Sequence, residues 1–595
     1  MERLVKRSFL DPINEDQVED PFFAVATVDR VLGVPWRLTG LEDLLRECGT
    51  DYRDSQRPYY RDQILEKVRR GDWLLMTSTP FRPLSGKRRS WTDDLGFFGG
   101  QPTAPAESKL PPDWKPFTPT PQVRLRVALR IGVFFDGTYN NAANAAQGQL
   151  CGAQHAITGD DLDASCKPYM RDPESSYGNG VTNIKLLHDL YPETQKLPAS
   201  AKQGHRRIYI EGIGTRAGEE DSPFGAGTGR GATGVVGRVK KAFEEIRVTC
   251  YRFIDENPDY EIESLTLDIF GFSRGAAAAR HFANQLAKGR NGPLGMMFPD
   301  PSGTFSKDLS GRYGQGIQVA FIGLFDTVAS TAGLANLGNV RSASTPGLQL
   351  YLAPDHFPTV VHLVARDEYR ANFALNSTAP EHRELVLPGA HADLGGGYLA
   401  EAEECLLVSP MQALDVPLQA DVRNTSIHHD AERARDAWRA KGWPEHMLEI
   451  VTPDARPLPP DPTDRLAPPR KRVYAALQLK RPVRGELSRV YLRLMLQLAR
   501  QKGVNFENIP DRSDTRLPLE LQPLCSRFLA GDYNATSAEE RLLQLHYIHC
   551  SAHWSPPARL QGQAPRTGVA LTFINAPTTD GQRVHHPHSP DRSRN

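Results

Sequence analysis

A serine set between two glycines, Gly271-Phe272-Ser273-Arg274-Gly275, is where residue types and spacing most directly suggest chemistry. A serine hydroxyl is a weak nucleophile. It needs a turn that presents it, a base to take its proton, and donors for the oxyanion that forms on an attacked carbonyl. The neighbours supply the turn. Leu265-Thr-Leu-Asp-Ile-Phe is a short apolar, partly β-branched run that reads as a buried strand. Ala276 to Ala279 are four alanines, the best helix formers. Strand, G-x-S-x-G and helix together make a nucleophile elbow, with Ser273 at its tip. Gly271 and Gly275 let neighbouring backbone pass without a Cβ clash. The helix aims its positive end at the oxyanion, and the Arg274 backbone N–H is the first expected donor.

A base and an acid must come from other strand ends. Asp326 closes the apolar run Val319 to Phe325 and is the first choice of acid; otherwise it would cap a helix ahead of Thr327. Asp367 is the alternative. His391 follows Glu384-Leu-Val-Leu-Pro and precedes the glycines Gly395 to Gly397, so it is the expected base. Its bland alternative is a turn histidine packed on a core aromatic. Asp393 would orient the loop, and His549 is the rival base. The second oxyanion donor is expected from Asp136-Gly137-Thr138, at Gly137, with Asp136 itself a turn or cap residue.

The elements that must hold these residues recur regularly. Short apolar runs near Leu129–Phe135, Ile208–Ile210, Leu265–Phe270, Val319–Phe325, Thr359–Ala365 and Glu384–Pro388 alternate with helical stretches, and polar residues collect at each run's end. That pattern predicts an α/β fold, α/β-hydrolase-like: a doubly wound, mostly parallel sheet with its site at the carboxyl edge. The predicted organisation is an N-terminal α+β docking unit (1–102), a Pro-rich linker (103–122), the catalytic unit (123–400), a helical cap with the C-terminal part of the hydrolase unit (401–575), and a disordered tail (576–595). Within the first unit, helices are predicted near Leu41 and Gln63, and a strand at Trp73-Leu-Leu-Met.

Composition narrows the classes. Across 595 residues, 71 Lys and Arg balance 71 Asp and Glu, which argues against a nucleic-acid binder. Seven scattered cysteines without C-x-x-C spacing read as mostly reduced thiols; Cys151 and Cys166 could pair, but a loop with two free thiols is the expectation. The first residues lack the apolar core of a signal peptide, and no run is long enough to span a membrane. Gly229-Arg-Gly231-Ala-Thr-Gly234 matches a dinucleotide fingerprint, but no strand precedes it, so it reads as a mobile Gly-rich loop near the site mouth. The tail histidines read as composition rather than a metal site. No metal and no cofactor is predicted.

Six motifs in order carry a family resemblance: Phe134-Phe-Asp-Gly-Thr138 with Asn140-Asn141, Gly212-Ile-Gly-Thr215, the elbow through Arg280, Phe325-Asp-Thr-Val328, Ala365-Arg-Asp-Glu368, and His391 to Tyr398, with a weaker echo at Ile548 to Ser551. Over about residues 125–400 the chain resembles the first family of bacterial type VI secretion lipase effectors. The resemblance implies an α/β-hydrolase domain, a Ser273–Asp326–His391 triad and hydrolysis of glycerophospholipid esters in membranes. It also implies a cognate immunity protein and delivery on a secretion spike (VgrG-type) or loading adaptor. Tyr139 stands where the family has glycine. The compartments expected are synthesis in the cytoplasm, export without a signal peptide and action in the target-cell periplasm. The competing expectations are a serine esterase on smaller esters and a non-catalytic spike adaptor.

Overall fold

The computed structural model describes residues 124–153, 164–222, 233–298, 300, 303–329, 347–459, 468–556 and 575–590, together with three strands nearer the N-terminus. The chain divides into two compact units, Met1–Pro121 and Gln122–Asn595. In the first, Phe23–Val28 (β1), Pro35–Gly40 (β2) and Trp73–Thr77 (β3) form an antiparallel sheet in the order β2-β1-β3. The strand predicted at Trp73 is β3. The helices predicted near Leu41 and Gln63, the Pro-rich linker and the Gly229 loop lie outside the described residues.

The second unit is built on six parallel strands, Leu125–Phe135 (β4), Gln203–Ile210 (β5), Tyr260–Phe272 (β6), Gly316–Phe325 (β7), Val360–Ala365 (β8) and Arg383–Leu387 (β9). Their order is β9-β8-β7-β6-β4-β5, with the two-residue strand Arg312–Tyr313 beside β7. Each apolar run singled out in the sequence lies on one of the six. The edge strand β5 is longer than its apolar run because His205, Arg206 and Arg207 continue it. Its side chains alternate between buried and half-buried, and Arg206 lays its guanidinium over the Phe253 ring at 5.1 Å. The order reverses between β4 and β6: the chain leaves β4 toward one edge through β5, then crosses to β6 and continues to the other. A crevice opens at such a reversal, at the carboxyl ends of the strands.

Alternation along β6 divides the core between the two faces of the sheet. Leu265, Leu267 and Ile269 pack with the helices Val235–Glu256 and Arg274–Leu286, through Phe243, Ile246, Ala279 and Phe282. Phe270 and Phe272 face the other way, against Leu187 of the helix Asn183–Leu190 and Met495 of Ser488–Arg500. The helical cap expected over 401–575 is therefore corrected in two respects. Its helix Ser488–Arg500 covers the second face of the sheet, drawn there by an almost wholly apolar inner stripe (Val490, Leu494, Met495, Leu498). Its first part contains an antiparallel sheet: Arg470–Arg484 (β13) pairs with Glu401–Leu407 (β10), Gln412–Pro417 (β11) and Leu448–Val451 (β12). Many charged residues on its half-exposed face hide the period-2 pattern.

Two other expectations are corrected. Cys151 and Cys166 form a disulfide with their Cα atoms 5.6 Å apart, because the helix Ala142–Cys151 ends where the turn before Pro168 returns beside Met170 and Tyr177. The tail is not disordered from Ala576: residues 575–590 are in place, and His585–His586 pairs in parallel with Leu375–Asn376.

A buried charge pair crosses the second face. Asp268 on β6 has no exposed surface and accepts both Nε and Nη2 of Arg130 on β4, at 2.7 and 2.9 Å, and the Tyr191 hydroxyl at 2.7 Å. Asp268→Ala should leave the guanidinium unmatched and destabilise the fold by about 3–5 kcal/mol. The urea midpoint reads it, and replacing Arg130 by Met in the same chain should recover most of the loss.

Candidate active site

The turn between β6 and the helix Arg274–Leu286 brings backbone into closer contact than any side chain permits. A Cβ on Gly275 would lie 2.4 Å from the Phe135 carbonyl oxygen and 2.3 Å from that of Asp136, and one on Gly271 would lie 2.6 Å from the Ala276 Cα. The first helical turn thus sits directly on the end of β4. Ser273, at the tip, has φ 59° and ψ −127°. Among the described residues, three non-glycine side chains have positive φ: Ser273, Asp326 at 43° and Tyr139 at 56°. All three follow the carboxyl ends of the neighbouring strands β6, β7 and β4. Strain concentrated at one place points to a functional site. Tyr139 also answers what its substitution for glycine does: the loop keeps the left-handed backbone at a cost of about 1 kcal/mol.

Asp326 lies one residue beyond β7 with no exposed surface. Its N–H donates to the Leu363 carbonyl, and its Oδ1 accepts the Ala365 N–H at 3.0 Å, which locks the carboxylate to the end of β8. Oδ2 lies 2.5 Å from His391 Nδ1. That bond commits Nδ1 to the acid and leaves Nε2 as the ring's other nitrogen. His391 packs at a tilt against Phe272, the residue before Ser273, with ring centroids 4.7 Å apart and planes inclined at 33°, and meets Phe373 edge-on at 5.0 Å. Its N–H donates to Glu368 Oε2 at 3.3 Å. Ser273 is 6% exposed and His391 5%. On Ser273's other side its N–H donates to the carbonyl of Phe325, which precedes Asp326. The structure thus gathers Ser273, Asp326 and His391 at adjacent strand ends, beside Arg274, which opens the helix.

Burial pushes the His391 imidazole below its ordinary value, against the opposite pull of Asp326. Burial would raise the Asp326 carboxyl, but the Arg583 guanidinium and His391 outweigh it and hold the acid well below the usual carboxylate range. Arg583 reaches Asp326 from the tail, through Nη1 to Oδ1 at 2.7 Å and Nη2 to Oδ2 at 2.8 Å. Sequence reading missed it, and no local signal marks it: the residue lies in a polar, proline-flanked stretch more than 250 positions from its partner.

The alternatives sit elsewhere. His549 pairs with Asp393, Nδ1 to Oδ1 at 2.7 Å, and stacks on Tyr398 with centroids 3.6 Å apart. Asp393 also accepts the Ala390 N–H, so it fixes the loop that carries His391. Asp367 accepts the Gly389 N–H and pairs with Arg366. The Gly137 donor is corrected: its N–H is given to Asp136 Oδ1 at 2.7 Å. Asp136, pushed up to about 6 by burial, also accepts from the Tyr209 and Thr182 hydroxyls and so shapes the turn. The neighbouring Thr138 Oγ1 is buried without a partner. Among the described residues no group of three or more His, Cys, Asp or Glu is placed to hold a metal ion, and no helix is long and apolar enough to cross a membrane.

Residues 303–420, which carry Asp326 and His391, match the family model of the Tle1-like phospholipase effector catalytic domain of type VI secretion. The solved structure of the Tle1 effector bound to the VgrG spike of that system aligns over 82% of this chain and 98% of its own, at 29% identity and a TM-score of 0.59. The chain resembles the type VI secretion phospholipase effectors in sequence and in fold. An uncharacterized protein from Pseudomonas aeruginosa aligns at 21% identity over 47% of this chain and 42% of its own, with a TM-score of 0.26, which is too low to bear on the fold. No curated protein matches significantly.

Gly275→Ala tests the elbow. The added methyl must push the helix off the carbonyls of Phe135 and Asp136, so ester hydrolysis should fall steeply while circular dichroism keeps its α/β signature. Unchanged turnover would show that the turn is not where the reaction takes place.

Proposed function

We propose that this protein is a phospholipase effector that cleaves carboxylic esters of glycerophospholipids through an acyl-enzyme on Ser273. The observation that supports the reading most is the 2.5 Å bond between His391 Nδ1 and Asp326, on a histidine packed against the residue that precedes a strained Ser273. The resemblance to the phospholipase effectors points to the substrate class.

The steps follow from the residues. Ser273 Oγ attacks the ester carbonyl while His391 Nε2 takes its proton. Asp326 fixes the ring through Nδ1 and stabilises the imidazolium. The oxyanion is met by the start of the helix at Arg274. With the Gly137 N–H committed, the Thr138 hydroxyl is the candidate second donor. His391 then protonates the departing lysolipid alkoxide. Water, deprotonated by the same nitrogen, releases the fatty acid and restores Ser273.

Ser273→Ala should lower fatty-acid release from phospholipid vesicles by about a millionfold, and His391→Ala should do nearly the same, with the double mutant no worse than either. His549→Ala should cost much less. The reverse ranking would move the base to His549. A burial-lowered imidazole stays neutral, and so able to act as base, to more acidic pH. The acid limb of kcat/KM should therefore fall below the ordinary histidine value. Turnover of short soluble esters alone, with vesicles untouched, would favour the smaller-ester reading.

The biological part of the proposal is antibacterial action on periplasmic membrane faces, with a spike as carrier and an immunity protein as antidote. Tle1 is found on the VgrG spike in the related structure. The chain given an export signal should kill a naive bacterium, whereas the unmodified chain, and the Ser273→Ala form with the same signal, should be tolerated. Equal toxicity from the cytosolic and exported forms would point to a cytoplasmic substrate. We further propose residues 1–102 as the docking unit, ahead of the linker 103–122: a chain starting near Pro121 should hydrolyse lipid yet lose delivery.

A further inference from the structure

We propose that Arg583 is a positioning residue for hydrolysis, holding Asp326 so that His391 is kept in place as the base. The inference rests on the Ser273–Asp326–His391 reading above. The guanidinium makes a two-pronged contact with the acid, Nη1 to Oδ1 at 2.7 Å and Nη2 to Oδ2 at 2.8 Å, which is the geometry of a strong, directional ion pair. Its Nε donates to the Phe373 carbonyl at 2.8 Å. The Phe373 ring is the one that meets His391 edge-on. One side chain therefore fixes both oxygens of the acid and the backbone of a residue that flanks the base.

Charge makes the contact necessary. Asp326 is fully buried, and a buried carboxylate needs a counter-ion. The charged groups facing His391 are Asp326 from the end of β7, Glu368 and Arg370 from beyond β8, and, through Asp326, Arg583 from the tail. Glu368 is matched by Arg370, Nη2 to Oε2 at 2.8 Å. Arg583 is left as the cation matched to Asp326 while His391 is neutral. The tail that delivers it is stitched along residues 369–377: Thr578 N–H to the Tyr369 carbonyl, Ala371 N–H to that of Ala576, and the short strand His585–His586 beside Leu375–Asn376. His588 pins its far end, accepting the Leu352 N–H at 2.9 Å and pairing with Glu381 at 2.8 Å.

Removing the charge should act through the acid on the base. With Arg583 neutral, the Asp326 charge is balanced only when His391 is protonated, so the imidazolium is favoured and the base is lost at higher pH. Arg583→Gln in the full chain, assayed on a soluble monomeric ester, should lower kcat by about a hundredfold with KM unchanged. The acid limb of its pH profile should move up by about one unit or more. Arg583→Lys should keep the limb near its wild-type position, because the charge survives. Arg583→Ala should regain activity when guanidinium is added at low millimolar concentration. Unchanged kcat and unchanged limb in Arg583→Gln would overturn the proposal. So would a loss of activity with no shift of the limb and no recovery with lysine or guanidinium, which is what a merely structural contact predicts. Ser273→Ala in the same assay separates the two readings. If it remains active, the triad reading fails; if it is inactive while Arg583→Gln is normal, the Arg583 proposal alone fails.

Discussion

The site depends on how closely the helix after Ser273 approaches the end of β4. That approach is possible only because Gly275 presents no Cβ to the carbonyls of Phe135 and Asp136. Once the helix is there, several features follow. Ser273 must turn with positive φ to join strand to helix. The start of the helix lies over the reversal in strand order, where the sheet leaves a crevice. The loop after β4 is drawn beside it, and Gly212 packs so tightly there that a Cβ would fall 1.8 Å from the Gly137 carbonyl. Close backbone packing, more than any single side chain, sets the place where a carbonyl could be attacked.

Around that packing, buried charges are matched one by one, by a residue two positions away for Glu368 and by groups remote in sequence for Asp268 and Asp326. Arg130 answers Asp268, Arg370 answers Glu368, and Arg583 answers Asp326. In the antiparallel sheet Arg481 answers Glu404 and also donates to the Gln544 and Ile548 carbonyls, which ties that sheet to the segment bearing His549. Such pairs add little net stability compared with apolar replacements, but each is costly to break on one side. They act chiefly as constraints on register and position: a sheet slip that displaced β6 from β4 would strand Asp268 and move Ser273 together.

The sheet and its elbow were legible because buried parallel strands are short continuous apolar runs and the glycines of the turn have fixed offsets. The parts that were not legible share a cause. β10 to β13 carry Glu, Arg and Lys on a half-exposed face, which lowers the apolar signal below what helical spacing gives. The helix Ser488–Arg500 did read as a helix, but a helical stripe does not say which surface it will cover, and the far face of the sheet is fixed only by the fold. Cys151 and Cys166 meet because a helix ends beside a returning turn. Arg583 has no local pattern at all; its role comes from a carboxylate on β7 and a tail threaded along residues 369–377. Gly137, expected as the second oxyanion donor, gives its N–H to Asp136, a capture that its place in the sequence does not reveal.

Two histidine–aspartate pairs lie within one loop of each other, and their surroundings differ. His549 and Asp393 are joined at 2.7 Å, but Asp393 also receives the Ala390 and His549 N–H groups and so serves the backbone. The His549 ring is stacked on Tyr398 at 3.6 Å, a contact that holds it in place. His391 has its acid on a different strand end from its own, an arrangement that serves no local turn. Asp326 in turn adopts a positive φ that a simple cap would not require. Its carboxylate is tied by Ala365 and Arg583 on one side and meets the imidazole on the other. An acid braced at that cost, aimed at a ring that rests on the residue before Ser273, supports the proton-transfer role proposed for the pair. The Asp393–His549 pair, by contrast, is accounted for by the loop it closes.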